Sequence, residues 1–191
     1  MNKIIGILGM QGAIAEHQEI LLQIPHTKTR IVKTAKDLDC IDGLILPGGE
    51  STAIGKLLDY FSLKEILQQK IISGLPVFGT CAGLILLAKN IENQTNTHLA
   101  TMDITVKRNG YGSQLDSFST NLLIPTIDKN MPIPLVFIRA PYITKTGKDV
   151  QILATLDNKI IAARQKNMLV SSFHPELTND LRFHQYFLSM I

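Results

Sequence analysis

The run Leu75-Pro76-Val77-Phe78-Gly79-Thr80-Cys81-Ala82-Gly83-Leu84 constrains the fold more than any other part of the chain. A short apolar stretch, suited to a strand, stops at a cysteine flanked by glycines, and a helix-like run from Leu84 to Lys89 starts at once. This spacing predicts a nucleophile elbow, a strand-to-helix turn in which Gly79 and Gly83 let the backbone bend and Cys81 is held up into a cleft. At a helix N-terminus the thiol would meet unpaired N–H groups and the positive end of the helix dipole, both of which favour the nucleophilic thiolate. A cysteine without such a frame is more often a small buried hydrophobe. The rest of the chain must therefore supply the partners that thiol chemistry needs.

Short apolar runs alternate with amphipathic ones through the first half, the signature of an α/β sheet with helices on its faces. Strands are expected over Ile4 to Leu8, Thr29 to Lys33, Gly43 to Leu46 and Pro76 to Phe78, with helices over Ala13 to Gln23, Thr52 to Asp59 and Leu63 to Ser73. Ser51 stands where the N-cap of the second helix belongs. The unbroken apolar run Gly43-Leu44-Ile45-Leu46 fits a central parallel strand. From Leu99 the pattern changes: strands are expected over Met102 to Lys107, Gln114 to Leu123, Leu135 to Ile138, Val150 to Thr155 and Ile160 to Arg164. Turns fall at Asn109-Gly110, Thr146-Gly147 and Asp157-Asn158. This predicts a partly antiparallel extension, then a last strand from Met168 to Phe173 and a closing helix from Asp180 to Met190. Residues 1–191 read as a single domain, without repeat or linker.

Composition removes several alternatives. The net charge of +3, from 19 basic and 16 acidic residues, is spread without a run of like charges, and only 6% of residues are aromatic, so no nucleic-acid surface is indicated. Lys3, the apolar stretch from Ile4 and Ala13-Ile14-Ala15 loosely imitate a signal peptide. Gly6, Gly9, Gln11 and Gly12 interrupt that stretch, which reads better as a buried first strand ending in a glycine loop. No apolar run approaches the roughly 20 residues a membrane span needs. The two cysteines, Cys40 and Cys81, make no disulfide framework, which favours a reducing, cytoplasmic setting. Metal-ligand spacings are lacking, and Gly6-x-x-Gly9-x-x-Gly12 departs from the dinucleotide fingerprint, so neither metal nor cofactor is assigned.

A thiol acting in acyl transfer needs a base, an acid that orients the base, and donors for an oxyanion. Ser172-Phe173-His174-Pro175-Glu176 offers the first two. Pro175 biases His174 toward an extended conformation, in which residues two apart project from one side, so His174 and Glu176 can meet. Taken alone, this tripeptide also fits a surface loop. His17 and His184 fall inside expected helices, and His26 and His98 in loops without a comparable partner. Pro47-Gly48-Gly49-Glu50-Ser51 would emerge at the C-terminal end of a parallel strand, where open α/β sheets place ligands. Its paired glycines expose N–H groups that can face an oxyanion, with the Ala82 amide as a second donor. A glycine pair by itself is also an ordinary turn. Arg108 and Arg139, each at the end of an expected strand, are suited to clamping a carboxylate, although isolated arginines more often serve the surface.

Together these segments resemble the glutaminase subunits of pyridoxal 5′-phosphate synthases, which are class I (triad) glutamine amidotransferases. The resemblance runs through Gly6-Ile7-Leu8-Gly9-Met10-Gln11-Gly12, Asp42 to Thr52, Phe78 to Leu84, Phe137-Ile138-Arg139-Ala140-Pro141 and Ser172 to Thr178. Arg108-Asn109 before Asp116-Ser117-Phe118 narrows it further. It implies a three-layer, mostly parallel, flavodoxin-like α/β fold with an antiparallel extension. It makes Cys81 the nucleophile and His174 with Glu176 the rest of the triad. Gly49 and Ala82 become the oxyanion hole, and Gly49, Glu50, Ser51, Arg108, Ile138 and Arg139 the glutamine contacts. Small departures, Gly110-Tyr111 and Tyr142, bear only on local loop shape.

The family hydrolyses L-glutamine through a cysteine thioester. It passes the ammonia to a separate (β/α)8-barrel synthase subunit, a dodecameric core decorated by glutaminase subunits, which builds the product from a pentose phosphate and a triose phosphate. The resemblance gives this chain no phosphate or cofactor of its own. It also implies low activity until the synthase docks near Gln11, and we expect docking to reorient an oxyanion-hole peptide. Two other readings stay open at this level: a class I glutaminase serving another acceptor pathway, and a non-catalytic assembly module on the same fold.

Overall fold

In a computed structural model describing residues 2–110 and 117–191, the chain forms twelve strands and five α-helices. They follow in the order β1 (Lys3–Leu8), α1 (Ile14–Leu22), β2 (Thr27–Val32), β3 (Gly43–Leu46), α2 (Ser51–Tyr60), α3 (Lys64–Ile72), β4 (Val77–Thr80) and α4 (Ala82–Leu87). Then come β5 (Ala88–Ile91), β6 (Met102–Lys107), β7 (Ser117–Leu122), β8 (Ile133–Ile138), β9 (Tyr142–Thr146), β10 (Gln151–Leu156), β11 (Lys159–Gln165), β12 (Met168–Ser171) and α5 (Arg182–Leu188).

The main sheet runs β2-β1-β3-β4-β12-β11-β9-β6-β5, with β10 paired to β11. Its first five strands are parallel neighbours, and β3 sits among them as its unbroken apolar sequence requires. Antiparallel pairings begin at β11 and carry the sheet outward, as the change of pattern after Leu99 predicts. A second, two-stranded antiparallel sheet joins β7 and β8.

Side-chain alternation divides the core between two faces. Leu44, Leu46 and Val77 join Ile54, Leu58, Leu67, Ile71 and Leu84 from α2, α3 and α4. Ile5, Ile7, Ile45 and Phe78 join Ile20 and Leu21 of α1, Phe183 and Phe187 of α5, and Leu135 and Phe137 of β8. The architecture is thus three-layered, with helices on both faces of a mostly parallel sheet.

The structure corrects four local expectations. The helix after Cys81 spans only Ala82–Leu87, and Ala88 already begins a strand; β9 forms where the sequence reading assigned no element. Glu50, not Ser51, caps α2: its carboxylate accepts the Thr52 and Ala53 N–H groups at 3.0 and 2.6 Å, and Ser51 is the first helical residue. The closing helix is shorter than expected, with Asp180 instead accepting the Arg182 N–H before it. Of the expected strand Gln114 to Leu123, Gln114, Leu115 and Asp116 lie outside the described residues, as does Tyr111. At Asp157-Asn158 both residues take positive φ, matching the two-residue hairpin turn between β10 and β11.

Candidate active site

Four parallel strands, β1, β3, β4 and β12, end at the same edge of the sheet, and the segments that follow them converge there. Cys81 follows β4 directly, Gly48 and Gly49 follow β3, Gln11 follows β1, and His174 follows β12. This is the carboxyl edge at which open α/β sheets hold ligands. A cavity of about 510 Å³ opens at the edge, and Gln11, Gly49, Glu50, Ser51, Cys81, Ala82, Arg108, Ile138, Arg139 and His174 all line it. Glu176 alone of the expected residues stands behind the wall, against His174.

Cys81 makes the elbow itself. Its φ of 48° and ψ of −97° put an L-residue in strained backbone, while neither Gly79 nor Gly83 has positive φ. Those glycines serve a different purpose from the expected bend. A Cβ on Gly79 would press into the Gly83 backbone, and one on Gly83 would strike the Leu46 carbonyl, so both permit α4 to lie tight against β3 and β4. The Cys81 N–H donates to the Ser171 carbonyl at 2.8 Å, tying the elbow to β12. The residue is 8% exposed, and Sγ lies 3.9 Å from the Ile138 carbonyl oxygen. With only six residues α4 supplies little macrodipole; the local N–H groups matter more.

His174 and Glu176 meet through a turn of their own. His174, at φ of −107° and ψ of 87°, stays out of the helical region that a following proline disfavours, and a 3-10 turn over Pro175–Leu177 then swings Glu176 back, in place of the expected extended run. His174 Nδ1 lies 2.7 Å from Glu176 Oε1, and both side chains are buried. Burial works against charge on His174, but hydrogen bonding to the Cys81 thiol and the Glu176 carboxylate, with the charges of both, pushes its pKa up to about 10. Burial likewise opposes charge on Glu176. Its neighbours His17 and His174 outweigh this and hold the carboxyl below its ordinary range.

The glycine loop is stitched from three sides. Gly48 N–H donates to Thr80 Oγ1 at 3.0 Å, Glu50 N–H donates to Gln11 Oε1 at 2.9 Å, and the Gly48 carbonyl accepts the Ala13 N–H at 3.0 Å. The Gly49 and Ala82 N–H groups have no acceptor among the described residues. On the opposite wall Arg108 reaches Glu50 Oε1 at 3.1 Å and Thr52 Oγ1 at 3.2 Å. Desolvation acts to raise the Glu50 pKa, but the Thr52 and Ala53 amides, the Thr52 hydroxyl and Arg108 hold it low, so Glu50 is an anion and Arg108 is engaged by it. Arg139, exposed and with φ of 42°, lines the cavity from the end of β8. Among the described residues no three His, Cys, Asp or Glu are grouped to hold a metal ion. Among these residues no helix is long and apolar enough to cross a membrane.

Sequence reasoning passed over two residues in this region. His17 and Thr80 are fully buried behind Glu176, in contact with each other at 3.2 Å. The signal for His17 was present: it stands in the buried stripe of α1 with Ile20 and Leu21, where a histidine needs a buried partner. His184 occupies the same kind of position among Phe183, Phe187 and Leu188 on α5.

Known proteins match this chain nearly end to end. The profile of the SNO glutamine amidotransferase family matches residues 7–191. The chain is 53% identical over 189 residues to pyridoxal 5′-phosphate synthase subunit PdxT of Ruminiclostridium cellulolyticum, covering 99% of this chain and 100% of that one. The corresponding subunit of Clostridium botulinum is 55% identical over 184 residues, covering 96% and 95%. A crystal structure described as a glutamine amidotransferase superposes with a TM-score of 0.90 at 39% identity over 97% of both chains. PurLQS from Thermotoga maritima superposes with a TM-score of 0.69 at 14% identity over 99% of each, a likeness of fold.

Proposed function

This chain belongs to the SNO glutamine amidotransferase family, and from that premise we propose that it is the glutaminase subunit of a pyridoxal 5′-phosphate synthase. It hydrolyses L-glutamine to L-glutamate and ammonia and supplies the ammonia for synthesis of the cofactor. The observation that carries this reading is the convergence of Cys81 and His174 on one cavity, with Glu176 hydrogen-bonded behind the imidazole.

Each step draws on groups that line or back this cavity. Cys81 Sγ attacks the side-chain carboxamide carbon of glutamine, and the free N–H groups of Gly49 and Ala82 take the developing oxyanion. His174, held by Glu176, carries the thiol proton to the departing nitrogen, so ammonia leaves and a γ-glutamyl thioester remains. Water then loses a proton to His174 and attacks the thioester; glutamate leaves and the proton returns to sulfur. Arg108 and Arg139 supply positive charge for the substrate carboxylate, and Glu50, an anion beside Arg108, suits the α-ammonium group. Ser51 and the Ile138 backbone complete the cavity wall.

The acceptor of the ammonia is a separate (β/α)8-barrel synthase subunit, in a dodecameric core that carries glutaminase subunits on its surface. Gln11, on the exposed loop after β1, is the residue this reading assigns to that interface. Its bond to the Glu50 N–H gives docking a route to the oxyanion loop. Residues 1–191 act as one glutaminase domain in the cytoplasm, where the free thiols Cys40 and Cys81 persist.

A Cys81→Ala variant assembled with its synthase tests the assignment. Glutamine-dependent synthesis should vanish while synthesis from an ammonium salt continues. Survival of the glutamine-dependent activity, or loss of both, overturns it.

A further inference from the structure

A line of buried polar groups runs behind the Glu176 carboxylate, and the thiol chemistry alone does not account for it. His17 Nε2 lies 3.5 Å from Glu176 Oε2 and 3.2 Å from Thr80 Oγ1, while His17 Nδ1 lies 3.0 Å from His184 Nε2. Thr80 Oγ1 also accepts the Gly48 N–H. At the two ends of this line, Glu176 Oε2 and His184 Nδ1 are buried without a hydrogen-bond partner among the described residues.

The contacts select one arrangement of protons. Burial lowers the pKa of His17, and lowers that of His184 to about 3, so each ring is neutral and carries one N–H. With its proton on Nδ1, His17 would donate to His184 Nε2. That would force the His184 proton onto Nδ1, where no acceptor stands, and would turn a bare imidazole lone pair toward the Glu176 carboxylate. In the opposite order His184 Nε2–H donates to His17 Nδ1, and His17 Nε2–H faces Glu176 Oε2 and Thr80 Oγ1. This order sets a positive hydrogen against a buried negative charge and leaves no N–H unmatched.

We propose that His17 is a positioning residue of the site: its Nε2–H holds the second oxygen of Glu176 and, through Thr80, registers that carboxylate against the Gly48 amide beside the oxyanion donor of Gly49. The inference rests on the glutaminase reading above. His17 touches no substrate; it acts by fixing Glu176, which orients His174. One histidine on α1 thereby ties the base on the β12 side to the oxyanion loop on the β3 side. Its charged and titratable surroundings are Glu176 and His174 after β12, His184 on α5 and Glu16 on its own helix.

The test is steady-state glutamine hydrolysis by the chain assembled with its synthase subunit, comparing wild type, His17→Leu and His17→Gln across pH. His17→Leu should lower kcat by about 10- to 100-fold, with KM within about two-fold of wild type. The basic limb of its kcat/KM profile should move to lower pH, because a loosened carboxylate stabilises the His174 imidazolium less. His17→Gln places an amide N–H near the lost Nε2–H and should recover much of kcat and return the basic limb toward wild type. Unchanged kcat in both variants overturns the proposal, as does an equal loss in both with the basic limb unmoved. If His17→Leu fails to fold, as judged by its melting temperature, His184→Leu takes its place. That variant leaves His17 present but removes the donor that sets its tautomer, and an unmoved basic limb overturns the proposal equally. A wild-type complex that does not hydrolyse glutamine would defeat the glutaminase reading itself, a separate outcome.

Discussion

His174 Nδ1 and Glu176 Oε1 lie 2.7 Å apart with a single proline between the two residues. The imidazole and the carboxylate are therefore fixed by one turn of backbone, closed by the Leu177 N–H to the His174 carbonyl at 3.2 Å. Cys81, by contrast, comes from the neighbouring parallel strand, whose residues Val77 to Thr80 register with Met168 to Ser171. Relative placement of sulfur and imidazole thus depends on strand pairing, and placement of imidazole and carboxylate depends on local sequence.

Glu176→Gln keeps the shape of the turn and removes its charge. An amide oxygen still accepts the Nδ1 proton, but the imidazolium loses its anionic partner, so the His174 pKa falls from about 10 toward its ordinary value. Glutamine turnover in the complex should drop by roughly 10²- to 10⁴-fold in kcat, and the basic limb of the pH profile should shift down. Unchanged kcat would show that the carboxylate does not support the base.

Stability should fall on both sides of neutrality, for separate reasons. His174 has a raised folded pKa, so its contribution is full below about 6.5 and is lost as pH rises through about 10. His184 has its pKa lowered to about 3, so below 6.5 the unfolded chain binds a proton that the folded chain refuses, and stability declines as pH falls toward 3. Melting temperatures measured across this range should show both flanks, and His184→Leu should flatten the acid flank. An acid flank of unchanged slope would refute the assignment.

The strained elbow predicts an inverted ranking of two substitutions. Cys81→Ala removes the nucleophile but keeps a Cβ at φ of 48° and ψ of −97°, whereas Cys81→Gly relieves that conformation. Both variants should be inactive, and the glycine variant should be more stable than the alanine variant by about 1 kcal/mol after its larger backbone entropy is counted. Denaturant unfolding measures the difference. A less stable glycine variant would mean that the elbow stores no strain.

Much of this site was legible because its parts are contiguous. The elbow, the glycine pair after Leu46 and the His174-Pro175-Glu176 segment each carry their chemistry within a few residues, and hydrophobic runs place each at a strand end. Elements set by tertiary contact were not legible. Ala88–Ile91 reads as more helix because Leu84 to Lys89 has no breaker, and it becomes a strand only by pairing with β6. The cap on α2 reads as Ser51, since nothing local shows that Glu50 is held beside the helix start by Arg108 from a distant strand. His17 and His184 read as helix residues without partners because the two are 167 positions apart and meet only when α1 and α5 share one face of the sheet.

Gly48 is the point at which the glycine loop leaves room for the His174 ring. A Cβ added there would collide with His174 Cε1, approach Nδ1 to 3.0 Å and stand 3.5 Å from Cys81 Cβ. The imidazole cannot yield freely, because Nδ1 is bound to Glu176 and its backbone N–H donates to the Val136 carbonyl at 2.8 Å. Gly48→Ala should therefore displace the ring from the sulfur while costing only about 1–3 kcal/mol of stability, as overpacking at one site does. Glutamine turnover in the complex should fall by at least about 100-fold, since misplacement near 1 Å carries a penalty of that order. Cys81 should still be alkylated stoichiometrically by iodoacetamide in the folded variant, which separates a misplaced base from a lost fold. Full turnover in Gly48→Ala would show that the loop stands farther from His174 during catalysis than it does here.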